Sequence, residues 1–286
     1  MSIHVISDST CDLPEHIKKE FDIRILPLHV RLGDDDRLDG VTITPDEIYS
    51  WSDQTKETPK TAAPSPEEVM NLMKDVLKDD PEGEIIAFSI SDVLSASGNI
   101  MRMVAEELEI EDRVHVVNSR NLSIGVGILA MCAAKGAKEG KSVDEILKEV
   151  DDLIPRLRVS FVLDTLTYLH RGGRCSGVAA FMGTKLKLHV KIVVENGTMR
   201  PDKKYRGNMN KVIPDYVSDM DEGIRNADKS LIFVVHSGVS EDVLESMREH
   251  VRSLGNFERL ETARAGSVIS SHCGPGVASV IYIEGK

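Results

Sequence analysis

Short apolar runs alternate with amphipathic stretches through the first half of the chain. Ile3 to Ile6, Ile85 to Ser89 and Val114 to Val117 read as buried strands, and Ile23 to Val30 reads as another. Between them the spacing predicts helices with marked starts. Asp12 with Glu15, Thr44 with Glu47, Ser65 with Glu68 and Ser142 with Glu145 each have the form of a capping box. Pro66 falls at the first helical position after Ser65. Strands alternating with helices predict an α/β/α domain, its parallel sheet covered on both faces.

The second half changes character. Val159 to Leu163, Leu231 to His236, Phe257 to Thr262 and Ser279 to Ile283 read as strands, with a helix over about 241–253. Lys191 to Glu195 and Met199 to Asp202 flank Asn196-Gly197, the signature of a type I′ hairpin. This predicts a C-terminal α+β domain with a mostly antiparallel sheet. The boundary is expected between Pro155 and Val159, giving domains over 1–157 and 158–286, with segment exchange between them left open. The chain has no internal repeat and no low-complexity linker, so the domains are expected to pack directly.

Composition narrows the function. A chain of 286 residues with 41% hydrophobic content has enough material for a large core and is long for one domain. Its net charge of -12 argues against a nucleic-acid surface and against permanent docking on an anionic membrane, while transient membrane contact stays open. Met1 to Val5 contains no basic leader region, and no stretch approaches the ~18 apolar residues of a membrane span. A cytoplasmic location is expected. Cys11, Cys132, Cys175 and Cys273 are far apart and form no CxxC pair, so free thiols are expected and neither a metal nor a cofactor.

Three enzyme-like strings fail on inspection. Gly125, Gly127 and Ala130 fit GxGxxA, but seven residues separate them from the strand ending at Val117, whereas a dinucleotide loop follows its strand directly. Small residues here suit close helix packing. Gly136, Gly140, Lys141 and Ser142 resemble a phosphate loop one residue short; Gly140 is better read as a helix end and Ser142 as the next cap. The nine histidines are scattered, and the chain has neither GxSxG nor HExxH.

What survives is a set of hydroxyl-bearing loops: Ser7 to Thr10, Thr61 to Ser65 and Ser89 to Ser97, the last leading into a helix expected to start around Ser95. In an open α/β sheet such turns gather at the carboxyl ends of the strands, where ligands bind. Hydroxyls beside helix N-termini suit an anionic head group.

In these boxes the chain resembles the DegV-type fatty-acid-binding proteins over nearly its full length. The resemblance is carried by Ser7-Asp8-Ser9-Thr10 with Asp12-Leu13, TAAPS (Thr61 to Ser65), ISDVLSAS (Ile90 to Ser97) and LTYLHRGGR (Leu166 to Arg174). Lys204 with Arg206-Gly207, and the intact HCGPG of His272 to Gly276, extend it. Ala62 and Ala63 replace the family's Ser and Gln, and Ala96 and Ser97 its Gly and Thr, so the donor set is thinner.

The resemblance implies two domains with one long-chain fatty acid buried between and within them. It implies that Thr61 and Ser95 meet the lipid carboxylate. It also implies a partner fatty acid kinase that phosphorylates the carboxylate, with this chain as carrier for phospholipid metabolism and not itself an enzyme. Ser97, Arg174, His272 and Gly274 are further candidates for the head group or the portal. Ile100, Met101, Met103, Leu122, Ile124, Ile128, Leu129 and Phe181 are candidates to line the tail cavity. The competing reading is a stand-alone serine hydrolase or acyltransferase using Ser95 and His272.

Overall fold

A computed structural model describes residues 2–181 and 188–286 of the chain. The first part runs β1 (Ile3–Asp8), α1 (Glu15–Phe21), β2 (Ile23–Leu26), β3 (His29–Leu32), β4 (Asp35–Leu38), α2 (Pro45–Thr55) and β5 (Lys60–Ala62). It continues through α3 (Pro66–Leu77), β6 (Glu84–Ser89), α4 (Ser97–Glu107), β7 (Val114–Asn118), α5 (Ile124–Lys138) and α6 (Val143–Leu153). The second part runs β8 (Leu157–Arg158), β9 (Ser160–Leu163), α7 (Thr167–Gly172), β10 (Leu188–Glu195), β11 (Thr198–Arg206), α8 (Met209–Ser218) and α9 (Asp221–Arg225). It closes with β12 (Ala227–Ser237), α10 (Glu241–Leu254), β13 (Leu260–Arg264), α11 (Ser267–Cys273) and β14 (Val277–Glu284).

The N-terminal sheet has the order β2-β1-β6-β7 and is parallel throughout. Its strands are apolar on both faces because helices cover both. Val69, Met73, Met101 and Val104 from α3 and α4 pack on one face, and Ile124, Ile128 and Leu129 from α5 on the other. The capping boxes of α2, α3 and α6 form as expected, each hydroxyl accepting the N–H three residues on while the glutamate reaches back.

The C-terminal sheet has the order β11-β10-β9-β14-β12-β13, with β8 on β14; among these pairs only β12 and β13 run parallel. Asn196 and Gly197 both take positive φ, 50° and 80°, as a type I′ turn requires. Helices α8 and α10 cover one face of this sheet. The other face is buried with the α5 side of the first sheet: Val5, Phe88 and Ile124 share one core with Phe161, Phe233 and Ile281.

Several elements depart from expectation. The segment expected as one strand over 23–30 divides at Pro27, which has no N–H to extend a ladder. Its first part joins the parallel sheet, and its second founds a three-stranded antiparallel sheet, β4-β3-β5. That small sheet and α2 bury Val30, Leu32 and Ile48 together with Val268 of α11, which links the two halves of the chain. The strand expected from Phe257 begins at Leu260, and the helix expected at Ser95 begins at Ser97. Asp12 is not the N-cap of α1, which starts behind Pro14 without a side-chain cap. Asp12 instead has a φ of 52° and turns inward, where its carboxyl accepts the Gly266 N–H at 2.8 Å and the Ser123 hydroxyl at 2.5 Å. The GxGxxA stretch lies inside α5, and Gly140, with φ 77°, ends that helix. Among the described residues no helix is long and apolar enough to cross a membrane.

Two outcomes follow from this packing. A Cβ at Gly127 would lie 2.8 Å from the Cys11 carbonyl oxygen and 2.7 Å from Leu13 Cδ2. Gly127→Ala should therefore destabilise the protein by about 1–3 kcal/mol in urea denaturation. Unchanged stability would mean that close approach is not what this glycine serves. Burial, against the hydrogen bonds from Ser123 and Gly266, pushes the Asp12 carboxyl well above the usual carboxylate range. A folded-state pKa above the unfolded one gives stability that is fully present below the unfolded pKa and is lost as pH rises through the folded one. Asp12→Asn keeps an acceptor for Gly266 and removes the charge, so it should gain on the wild type at pH 8. That gain should shrink as pH falls towards 4. A gain constant across that range would show that Asp12 is not the titrating group.

Candidate functional site

Where the carboxyl ends of β1 and β6 meet the mixed sheet and α11, the protein encloses a cavity of about 270 Å³. That is close to the lower end of ligand cavities, about 300 Å³. Its wall is mainly apolar, with Leu28, Leu94, Phe161, Val235, Val268 and Ile281 contributing. Ala96 and Arg174 line it and are exposed, which places its mouth between the loop before α4 and the loop after α7.

Six hydroxyls face this cavity, those of Thr10, Thr61, Ser95, Ser123, Ser237 and Ser279. Four donate their protons within the protein. Thr10 gives its proton to Asp8 at 2.5 Å, and Ser123 to Asp12 at 2.5 Å. Ser237 gives its proton to the Gly274 carbonyl at 2.6 Å, and Ser279 to the Ser160 carbonyl at 2.6 Å. The two others differ. Ser95 Oγ accepts the Ser97 N–H at 3.3 Å, which leaves its own proton free among the described residues. Thr61, in the edge strand β5, lies 2.8 Å from His272 Nε2.

The ring of His272 decides the direction of that bond. Its Nδ1 is buried and has no partner among the described residues. The bare Gly172 packs against it, so closely that a Cβ there would lie 2.3 Å from Nδ1. An orphaned buried N–H is rarer and costlier than an unused lone pair. Nε2 therefore carries the proton and donates to Thr61, which frees the Thr61 hydroxyl proton for a ligand. Burial, with the nearby Arg174 guanidinium, pushes the His272 pKa down to about 4, so the ring is neutral near pH 7. Arg174 itself donates to the Gly172 carbonyl at 2.7 Å, which ties it to the same turn.

The structure brings Thr61, Ser95, Arg174 and His272 to the one cavity. Ser97 and Gly274 are not part of its lining. Ser97 is fully buried at the start of α4, and Gly274 serves the backbone. With φ 73° and ψ -176° it occupies a region essentially reserved for glycine, and a Cβ would lie 2.6 Å from the Tyr168 ring. Of the apolar residues expected to line a tail cavity, only Leu122 does. Met101 and Ile100 pack on the far face of the parallel sheet, because α4 turns its apolar side that way, and Met103 is 46% exposed. Ile124, Ile128 and Leu129 are core beneath α5, and Phe181 packs at the edge of the shared core. The wall is instead supplied by β9, β12, β14 and α11. Its signal in the sequence was the inward alternation of those strands, which does not distinguish a cavity wall from ordinary core.

For the competing reading with Ser95 and His272, the described residues show His272 Nε2 engaged with Thr61, no partner at Nδ1 and no hydrogen bond between His272 and Ser95. Nor do the described residues include a group of His, Cys, Asp and Glu that could hold a metal ion.

Comparison with known proteins places this geometry. A family model described as "Uncharacterised protein, DegV family" matches residues 2–285. A DegV domain-containing protein of Caldanaerobacter subterraneus is 31% identical, over 99% of either chain. Among solved structures, a fatty-acid-binding DegV family protein from Thermus thermophilus superposes with a TM-score of 0.90 at 29% identity, covering 99% of this chain and 100% of that one. A DegV lipid-binding protein from Thermotoga maritima gives a TM-score of 0.86 at 27% identity, with both chains fully covered. On the strength of the whole-chain model match and this level of identity, the chain belongs to the DegV family.

Proposed function

We propose that this protein binds one long-chain fatty acid, with the tail in the apolar cavity and the carboxylate held by Thr61 and Ser95. The observation that carries the reading is the division of the six cavity hydroxyls: four are spent within the protein, and Thr61 and Ser95 keep a proton to donate. A bare carboxylate in an apolar site is costly unless it is hydrogen-bonded, and these two donors, with Arg174 at the mouth, compensate it. Each methylene removed from water gains ~0.8 kcal/mol, so a sixteen-carbon tail contributes on the order of 10 kcal/mol. The relatives from Thermus thermophilus and Thermotoga maritima, described as fatty-acid-binding and lipid-binding, support the same ligand class.

We propose further that the protein is a carrier and not an enzyme. It works in the cytoplasm and presents the carboxylate to a partner fatty acid kinase for phospholipid metabolism. The location of Thr61, Ser95 and Arg174 at the exposed end of the cavity supports presentation to a partner. In this reading the chain divides at 157/158, with the small β4-β3-β5 sheet of the first domain packed on α11 of the second.

Purified protein, denatured and extracted, should release close to one fatty acid per chain by mass spectrometry. If no lipid is released and delipidated protein fails to take up labelled palmitate, the reading is wrong. Thr61→Val with Ser95→Ala should weaken palmitate binding, since each lost hydrogen bond to a charged acceptor is worth ~1.5–3 kcal/mol. The same double variant should hold hexadecanol nearly as well as wild type does. Equal losses for acid and alcohol would mean that the two hydroxyls do not recognise the carboxylate, and would move the head group to Arg174 and His272.

A further inference from the structure

A second cleft, of about 840 Å³, lies away from the lipid cavity, between β7, α6 and the tip of the β10–β11 hairpin. One wall is the outer edge of the parallel sheet. Among the described residues β7 pairs only with β6, so one side of it is unpaired. The phase of the ladder says which groups face outward. The Ile85 N–H donates to the Arg113 carbonyl, and the Ser119 N–H to the Ser89 carbonyl. In a parallel pair this turns both backbone groups of His115, Val117 and Ser119 towards β6. Val114, Val116 and Asn118 therefore direct theirs outward, and Val116 and Asn118 line the cleft.

The opposite wall is mixed: Leu147 of α6, Ile154, Pro155, Leu157 and Val194 supply apolar surface, with Asp151, Arg158 and Glu195 among them. The hairpin tip is seated firmly. A Cβ on Gly197 would lie 2.5 Å from Ser91 Oγ and 3.5 Å from Arg120 Cα. An unpaired edge strand facing apolar side chains across a groove is the geometry that accepts an added strand.

The charges of the cleft select the occupant. Arg102 is paired with Asp92, Arg158 with Glu284, His115 with Glu84 and Glu195 with Arg200. Arg120 is different. It follows the carboxyl end of β7 in a left-handed conformation, φ 49°, unusual for a residue that is not glycine. Its guanidinium has no hydrogen bond or ion pair among the described residues. Asp151, exposed on α6, disfavours a second negative charge along the groove. The protein's own C-terminus is anchored elsewhere, with the Gly285 N–H on the Asn226 carbonyl at 3.1 Å.

We propose that this groove binds the free C-terminal segment of a partner protein. The segment lies extended alongside β7 and parallel to it, with uncharged, largely apolar side chains and its terminal carboxylate on Arg120. Backbone hydrogen bonds to Val116 and Asn118 supply affinity. Leu147 and Ile154 read alternate side chains, and the Arg120 guanidinium recognises the chain end.

The test is selection from a display library of random heptapeptides with free C-termini against the lipid-loaded full-length protein. Selected peptides are then synthesised as acids and as amides and titrated by fluorescence anisotropy. The expected winners carry apolar residues at alternating positions and lose affinity about tenfold or more as amides. Arg120→Asn, which suits the left-handed backbone, should equalise acid and amide. Val116→Pro removes an outward N–H and no ladder bond, so it should abolish peptide binding while fatty acid binding persists. No enrichment overturns the proposal. So do peptides that bind equally as acid and amide to wild type, or that ignore Arg120→Asn. Concentration-dependent dimerisation lost in Val116→Pro would assign the edge to a second copy of the chain, which also overturns it.

Discussion

The Asp12 carboxyl joins three segments that are far apart in the chain, accepting hydrogen bonds from Ser123 ahead of α5 and from Gly266 ahead of α11. Asp39 repeats the arrangement nearby, accepting from Ser9 at 2.8 Å and from the Ser267 N–H at 2.6 Å. Cavity-lining residues lie directly beside these joints: Thr10, Ser123, Ala265 and Val268. Burial pushes both carboxyls above their usual range, the signature of acids whose desolvation outweighs their hydrogen bonds. Their position is costly, and it fixes the spacing of the walls around the cavity.

That spacing explains how an apolar cavity persists inside a shared core. Phe88 and Ile124 from the parallel sheet side and Phe161, Phe233 and Ile281 from the mixed sheet belong to one cluster. Interiors normally close such space, because unfilled volume forfeits dispersion contacts. Here the polar joints at the start of α11, together with α11 itself and the small β4-β3-β5 sheet, hold the sheets apart. The wall also keeps its polarity to itself: Ser237 and Ser279 face the cavity yet donate to backbone carbonyls. The cavity therefore offers a ligand apolar surface along most of its length and hydrogen-bond donors at its mouth.

The mouth shows how glycine and histidine act together. Gly172 allows His272 to lie against the backbone at the end of α7, and that contact leaves Nδ1 without a partner among the described residues. The proton then belongs on Nε2, and Thr61 becomes a donor to the cavity. A neutral, buried imidazole that sets the direction of a hydroxyl is a positioning device, and it needs no catalytic role.

Much of this was legible from local signals. The capping boxes at Thr44, Ser65 and Ser142, the Asn196-Gly197 turn and the apolar runs of β1, β6 and β7 depend on residues within a few positions of each other, and they formed as read. Ser95 lies in the loop after β6, as the hydroxyl pattern predicts, whereas Thr61, expected in such a loop, lies in β5 of the separate antiparallel sheet and reaches the same cavity from there. Asp12 misled for the opposite reason: its spacing to Glu15 satisfies a local rule, but its partners lie 111 and 254 residues away. The strand over 23–30 divides at Pro27, whose missing N–H breaks the ladder, but that its two parts join different sheets is decided by the tertiary structure. The cavity wall was not legible at all, because periodicity reports only that a side chain points inward. Whether Phe161, Val235 and Ile281 meet other side chains or open space is decided by how two sheets are held apart, and that distance exists only in the tertiary structure.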